Sequence, residues 1–266
     1  MNQELPVVLA VAGLDPSGGA GIQADIQTIS SIGGHCTPII STLTVQDSSS
    51  LYQVHPVSPE IIERQMTVLS NEFNFSAIKL GALGSAENAV LIGQWIQTLK
   101  KTNQNIAIIL DPVIKASSGG ALGDDELRKA LLNEVIPYCT LITPNEPELK
   151  ILSSDGNRQT AIEQFTNLGV SVLITGGHTK NTVKGTLENQ LITDSGEQQY
   201  WKINTVDGEF RGTGCTLSSA ITGFMAKGLK LNLAIEKAQN FVSESLEQAY
   251  KLRSGQQIPQ RSNFSV

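Results

Sequence analysis

Basic residues, cysteine, histidine and aromatic side chains are all scarce in this sequence, and each shortage removes a class of function. Lys and Arg number 19 against 25 Asp and Glu, a formal net charge of −6. That balance leaves no basic face for sequence-independent nucleic-acid binding and disfavours anionic membrane surfaces. It is no obstacle to a nucleotide, which a few local groups can hold. Cys36, Cys139 and Cys215 are too few and too far apart for a disulfide framework, and suit a reducing cytosol. His35, His55 and His178 are equally scattered, so no transition-metal motif forms. No apolar run approaches the ~18 residues that span a bilayer. The opening Met1–Pro6 lacks the basic stretch of a signal peptide. A cytoplasmic protein without nucleic-acid or membrane partners is expected.

What remains is an ordinary globular composition, 40% hydrophobic over 266 residues, enough for one large α/β domain. Short apolar runs at Val7–Val11, Ile39–Val45, Ala77–Leu80, Ile106–Leu110, Leu141–Ile142 and Val172–Thr175 read as buried strands. Leu51–Val57 alternates like an edge strand. Between them lie helical patterns at Gly19–Ile32, after Ser58-Pro59-Glu60 with the serine as N-cap and the proline in the first turn, and at Ala86–Lys101, Asp124–Val135, Glu146–Leu152 and Thr160–Leu168. Buried strands alternating with helices predict a mostly parallel central sheet sandwiched between helix layers. Thr186–Thr193 and Gln199–Ile203 read as an antiparallel excursion, and two long helices, Cys215–Lys227 and Leu233–Leu252, finish the fold. No linker or repeat interrupts the chain, so one domain, 1–266, is expected, with a frayed polar tail over 253–266.

Two glycine-rich turns lead into helices. In Gly212-Thr213-Gly214-Cys215-Thr216-Leu217-Ser218 the turn runs straight into a helix with small residues on its first turns. The first N–H groups of a helix lack internal partners and carry partial positive charge, so such an end suits a phosphate. The other turn, Gly13-Leu14-Asp15-Pro16-Ser17-Gly18-Gly19-Ala20-Gly21-Ile22-Gln23-Ala24-Asp25, contains Gly19-x-Gly21-x-x-Ala24, a formal match to a dinucleotide fingerprint. An NAD-dependent oxidoreductase is therefore a rival class. Position counts against it, because Ala12 to Gly18 separate the strand from the fingerprint, where a Rossmann turn follows almost at once. No Gly-x-x-x-x-Gly-Lys-Ser/Thr occurs, so a P-loop is excluded.

These two turns, with Asp111-Pro112-Val113 and Thr143-Pro144-Asn145-x-x-Glu148 between them in order, resemble the bacterial hydroxymethylpyrimidine/phosphomethylpyrimidine kinases of thiamine biosynthesis, within the ribokinase-like superfamily. The resemblance runs from about Val7 to Leu252. It implies a ribokinase-like fold, ATP and Mg²⁺, a homodimer, and phosphorylation of 4-amino-5-hydroxymethyl-2-methylpyrimidine and then of its monophosphate. By resemblance Gln46 reads the aminopyrimidine edge, for which a carboxamide offers both a donor and an acceptor. Gly13, Ala20, Asp25 and Val113 fall where the family lines its pyrimidine pocket. Asp25 could equally be an acid favoured on the first turns of a helix. Asp111 ends a strand where a carboxylate can hold Mg²⁺ or its waters. Asn145 and Glu148 match the superfamily's element around Mg²⁺ and phosphate, and could equally be a helix cap and its first turn. Gly212, Thr213 and Gly214 would form the anion hole. Cys215 stands where most of the superfamily carries an aspartate base, and a helix N-terminus is expected to lower its pKa.

The sequence departs from the family at several positions. Thr175 stands where a lysine often precedes Gly-Gly-His, which removes an expected contact to ATP phosphates. Arg211 replaces a frequent histidine, and could supply the missing charge, since arginine suits bidentate phosphate contacts. Ala82 replaces a methionine near the pocket, and Gly119-Gly120 replaces a more polar run. These changes bear on substrate choice. A pyridoxal or pyridoxine kinase is the enzyme alternative, and a catalytically weak pyrimidine-binding protein the alternative of another class.

Overall fold

The computed structural model describes residues 5–113, 122–177, 185–253 and 255–262. Nine strands form one sheet in the order β3-β2-β1-β4-β5-β6-β7-β8-β9. In chain order they are β1 (Val7–Leu14), β2 (His35–Gln46), β3 (Leu51–Pro56), β4 (Phe75–Leu80), β5 (Ala107–Leu110), β6 (Leu141–Ile142), β7 (Ser171–Gly177), β8 (Thr186–Ile192) and β9 (Gln198–Asn204). The six strands from β2 to β7 pair in parallel. β3 adds antiparallel at one edge, where an edge strand was expected, and β8 and β9 add antiparallel at the other as the expected excursion. This is the ribokinase-like α/β arrangement that the resemblance implied.

Among the described residues the α-helices are α1 (Gly21–Ser31), α2 (Pro59–Glu72), α3 (Ala86–Thr102), α4 (Asp125–Ala130), α5 (Glu146–Leu152), α6 (Arg158–Thr166), α7 (Thr213–Ala226) and α8 (Leu231–Glu247). Period-two alternation divides them between the sheet faces. Leu9, Val11, Ile78, Leu80, Ile108 and Leu110 face one core with Met66, Ile92, Ile96 and Phe165. Val8, Ala10 and Ala12 face the other side beneath Ile22 and Ile29 of α1. Ala77, Ala107 and Ile109 meet Leu217, Ala220 and Ile221 of α7 and Ile235 and Ala238 of α8. Small residues on this second face let α7 lie close against the strands.

Three local features differ from expectation. The helix from Asp124 does not run evenly to Val135. It widens to a π turn over Leu131–Val135 and tightens to a 3₁₀ turn over Ile136–Tyr138, where Pro137 cannot donate to the α pattern. Ser58 sits at the N-cap of α2 but makes no side-chain cap bond. The tail is not loose over its described part: Ile258 and Arg261 are 4% and 2% exposed, and Gln257 pairs with Phe210 in a parallel bridge. A single isoleucine and one arginine give no periodicity from which such docking could be read.

Candidate active site

The chain leaves β1 for β2 on one side and later returns to β4 on the other, so a crevice opens at the carboxyl ends of these strands. One cavity occupies it. Its wall takes Gly13 and Asp15 from the end of β1, Thr42, Thr44 and Gln46 from β2, and Lys79 and Ala82 from β4 and its following turn. Asp111 and Val113 follow β5, Thr143, Asn145 and Glu148 follow β6, Thr175 lies two residues before the end of β7, and Gly212, Thr213, Gly214 and Cys215 open α7. Ala20 and Arg211 complete it. Of the described residues given a site role in the sequence, every one but Asp25 lines this one cavity. Gly119, Gly120 and His178 lie outside the described residues.

The two glycine turns face each other. Gly212 is the N-cap of α7 with φ 75°, a left-handed conformation that glycine adopts without strain. A Cβ there would stand 2.3 Å from the Gly19 carbonyl, so the close approach of the two turns also requires glycine. Gly21, at φ 59°, is pressed against the Gly13 carbonyl in the same way. Gly214 differs: a Cβ there would point into the cavity, 3.8 Å from Asp111 Oδ2. The start of α7 and Asp111 therefore face each other across the cavity, close enough that one added carbon on Gly214 would reach van der Waals contact with the carboxylate.

Beneath that space lies a buried charge cluster. Lys79 Nζ is 2.9 Å from Asp25 Oδ1 and 3.0 Å from Oδ2, both side chains fully buried, and Ser219 Oγ donates to Asp25 Oδ1 at 2.6 Å. Burial would strip the Lys79 proton, but the negative charge of Asp25, and behind it that of Asp111, raises its pKa above the ordinary lysine value. Asp25 is thus corrected from a pocket residue to the buried counter-ion of a pocket lysine. A carboxylate beside a fully buried ammonium is held there by the large desolvation cost of either charge alone. Lys79 itself was missed. Its signal was present: it is the single charge in the otherwise apolar buried run of β4.

Asp111 and Glu148 face the cavity over this cluster. Burial pushes the Asp111 carboxyl up, with Lys79 pulling the other way. Burial, then the negative charge of Asp111, pushes Glu148 up to about 8. Asp111 Oδ2 is buried without a hydrogen-bond partner among the described residues. Two mutually repelling carboxylates, one with an orphaned oxygen, fit a divalent cation. Among the described residues no three acid, histidine or cysteine groups cluster as a metal site, so such an ion would keep several waters, as Mg²⁺ usually does. Asn145 caps α5 with Glu148 in a reciprocal capping box: Asn145 Oδ1 accepts from Glu148 N at 2.9 Å, and Glu148 Oε2 accepts from Asn145 N at 3.0 Å. The cap and the cavity wall are the same pair, so the two sequence readings were never exclusive.

Two electrostatic expectations are overturned. Cys215 is not acidified by its helix end: burial pushes its thiol up to about 12, and Lys79 offsets this only in part. Arg211 is not a free cation facing nucleotide phosphates. It is 2% exposed, its Nε donates to Asp15 Oδ2 at 2.6 Å, and its Nη2 donates to Gln46 Oε1. Asp15, quoted in the N-terminal motif without a role, is what pulls it there. Arg211 therefore sits beside Gln46.

Residues 15–260 match the family described as Phosphomethylpyrimidine kinase. A hydroxymethylpyrimidine/phosphomethylpyrimidine kinase of Aquifex aeolicus is 33% identical over 95% of this chain and 98% of its own length. A crystal structure of phosphomethylpyrimidine kinase from Clostridium difficile 630 is 29% identical with a TM-score of 0.73, covering 91% of this chain and all of that one. The pyridoxal kinase of Staphylococcus aureus in complex with pyridoxal superposes with a TM-score of 0.83 at 24% identity, over 99% of this chain and 96% of that one, a likeness of fold.

Proposed function

The chain belongs to the phosphomethylpyrimidine kinase family, and from that premise we propose how its cavity divides the work. The activity is ATP-dependent phosphorylation of 4-amino-5-hydroxymethyl-2-methylpyrimidine, and then of its monophosphate, for thiamine synthesis. The observation that carries our assignment of roles is that the start of α7 and Asp111 face each other in one cavity, with Gln46 in the same wall. Amides at a helix start are suited to a migrating phosphoryl group, whose transition state is loose and asks for positioning and charge stabilisation.

In this assignment Gly212, Thr213 and Gly214 cradle the transferring group. Gln46 holds the pyrimidine edge beside Gly13, Ala20 and Val113. Its Oε1 already accepts from Arg211, so its Nε2 is left to donate to a ring nitrogen, and the second lone pair of Oε1 to accept from the 4-amino group. Arg211 and Asp15 fix that carboxamide. Asp111 and Glu148 would hold Mg²⁺, which when bound would neutralise phosphate charge, and Asn145 and Thr175 border the nucleotide side. With its thiol protonated at neutral pH, Cys215 orients the attacking hydroxyl. Lys79 contributes fixed positive charge below the reacting atoms, balanced by Asp25.

A homodimer is proposed as well. Leu43 and Val45 alternate along β2 with the cavity residues Thr42, Thr44 and Gln46, and are 46% and 48% exposed on the opposite side. A partner subunit would cover them. No described helix is long and apolar enough to cross a membrane, and the three unpaired cysteines are in keeping with a cytoplasmic setting.

The direct experiment is phosphorus NMR of products from purified protein, ATP, Mg²⁺ and the hydroxymethylpyrimidine. The expected course is monophosphate first and diphosphate after it, with pyridoxal in place of the pyrimidine giving much slower ADP release. Faster turnover of pyridoxal would transfer the assignment to the other vitamin kinase.

A further inference from the structure

The docked C-terminal tail carries a buried cation that forms no salt bridge among the described residues. Arg261 is 2% exposed, and among the described residues no carboxylate is within ion-pairing distance. Its donors go to neutral acceptors. Nε donates to Thr216 Oγ1 at 2.7 Å, Nη2 to the carbonyls of Gly19 at 2.6 Å and Arg211 at 3.3 Å, and Nη1 to Gln27 Oε1 at 3.3 Å. A buried charge is costly to hold without an opposite charge in contact, and here neutral acceptors carry its hydrogen bonds.

What lies at hand is the glycine contact of the active site. Thr216 Oγ1, which accepts from Arg261, itself donates to the Gly212 carbonyl at 2.7 Å. The Gly19 carbonyl that Arg261 holds is the one against which Gly212 is packed, and Arg261 Nη2 would be 2.8 Å from a Cβ on Gly212. One guanidinium thus ties the N-terminal glycine turn and the start of α7 into a fixed relation, from the side away from the cavity. Backbone bonds hold the tail in place: Arg211 N donates to Gln257 O at 2.9 Å, Gln257 N to Glu209 O at 2.8 Å, and Gln260 N to Ser245 O at 2.9 Å.

We propose that Arg261 is a positioning residue for phosphoryl transfer, locking Gly212 against the Gly19 turn and adding its charge to the anion-binding end of α7. The inference rests on the kinase assignment above. It predicts that Arg261 matters for the terminal phosphoryl group and little for the pyrimidine.

The test uses the full chain with R261Q and R261K. Calorimetry measures affinity for ADP and for the triphosphate analogue AMP-PCP with Mg²⁺, and steady-state kinetics measure kcat and both KM values. In R261Q, AMP-PCP affinity is expected to fall ~10-fold, the scale of one charged hydrogen bond. ADP affinity and pyrimidine KM should change less than about 2-fold, while kcat falls ~10-fold or more, on the scale of a lost transition-state donor. R261K should recover part of both losses by restoring charge. Equal losses for ADP and AMP-PCP, or an unchanged kcat, would overturn the proposal. Should R261Q fail to fold, T216V severs the relay to Gly212 with Arg261 in place, and the same pattern at smaller amplitude is expected, an unchanged kcat again overturning it. A wild-type chain that binds AMP-PCP but does not turn over the pyrimidine would sink the substrate assignment and leave the nucleotide arm decisive for Arg261.

Discussion

Cys215 shows how burial and helix position compete at a single atom. The start of α7 favours a thiolate, but loss of solvent raises the thiol further than the dipole and Lys79 lower it. Its contribution is then geometric, and Cys215→Ala is expected to lower kcat by roughly 10²-fold, the range of positioned acid–base groups, with the melting temperature little changed. Steady-state kinetics beside a thermal melt checks both. Glu148 offers a test of electrostatics that needs no turnover. Its folded pKa of about 8 lies above the ordinary glutamate value. Its contribution to stability is therefore whole below the unfolded pKa and is lost as pH rises through the folded one. Relative to Glu148→Gln, which keeps the capping acceptor, the metal-free wild type should lose stability between about pH 5 and pH 8. Added Mg²⁺ should reduce the loss by favouring the ionised carboxyl. Urea titrations across that range measure it, and parallel profiles for the two proteins would contradict the assignment.

At the scale of elements, α3 and the π turn after α4 are fitted to each other. A Cβ on Gly93 would stand 2.1 Å from the Glu134 carbonyl, and that oxygen belongs to backbone that cannot swing aside. The widened turn brings Glu134 this close, so a glycine in mid-helix, ordinarily unfavourable by about 1 kcal/mol against alanine, is here required. Gly93→Ala is expected to destabilise the protein by roughly 1–3 kcal/mol, as overpacking does, despite its better helix propensity. Thermal or denaturant unfolding reads the sign directly. A stabilised variant would mean that α3 and the turn can separate without loss.

Over the whole molecule, the sheet joins two cores that share no helix. Trp95 on α3 packs against one, and Trp201 on β9 packs against the other. If the chain is one cooperative domain, fluorescence of Trp95 in a Trp201→Phe variant and of Trp201 in a Trp95→Phe variant should lose structure at the same denaturant concentration, once each is corrected for its own stability change. Two separated transitions would divide the chain into independent units.

Local order along the chain was legible because it depends on near neighbours. Period-two and helical patterns placed β1 to β9 and the helices between them. Glycine and proline marked the turns at Gly212 and Pro59, and the fixed spacing from Asn145 to Glu148 located a cap that is also part of the cavity wall. Most of the cavity-lining residues named in the sequence were legible for the same reason, since they sit in short motifs at strand ends. What the sequence could not decide was which distant charges would meet. Asp25 belongs to Lys79 across 54 positions and Arg211 to Asp15 across 196, and Arg261 reaches Gly19 across 242. The energy of a buried charge depends on the partners and the solvent around it, and only the tertiary fold assigns those.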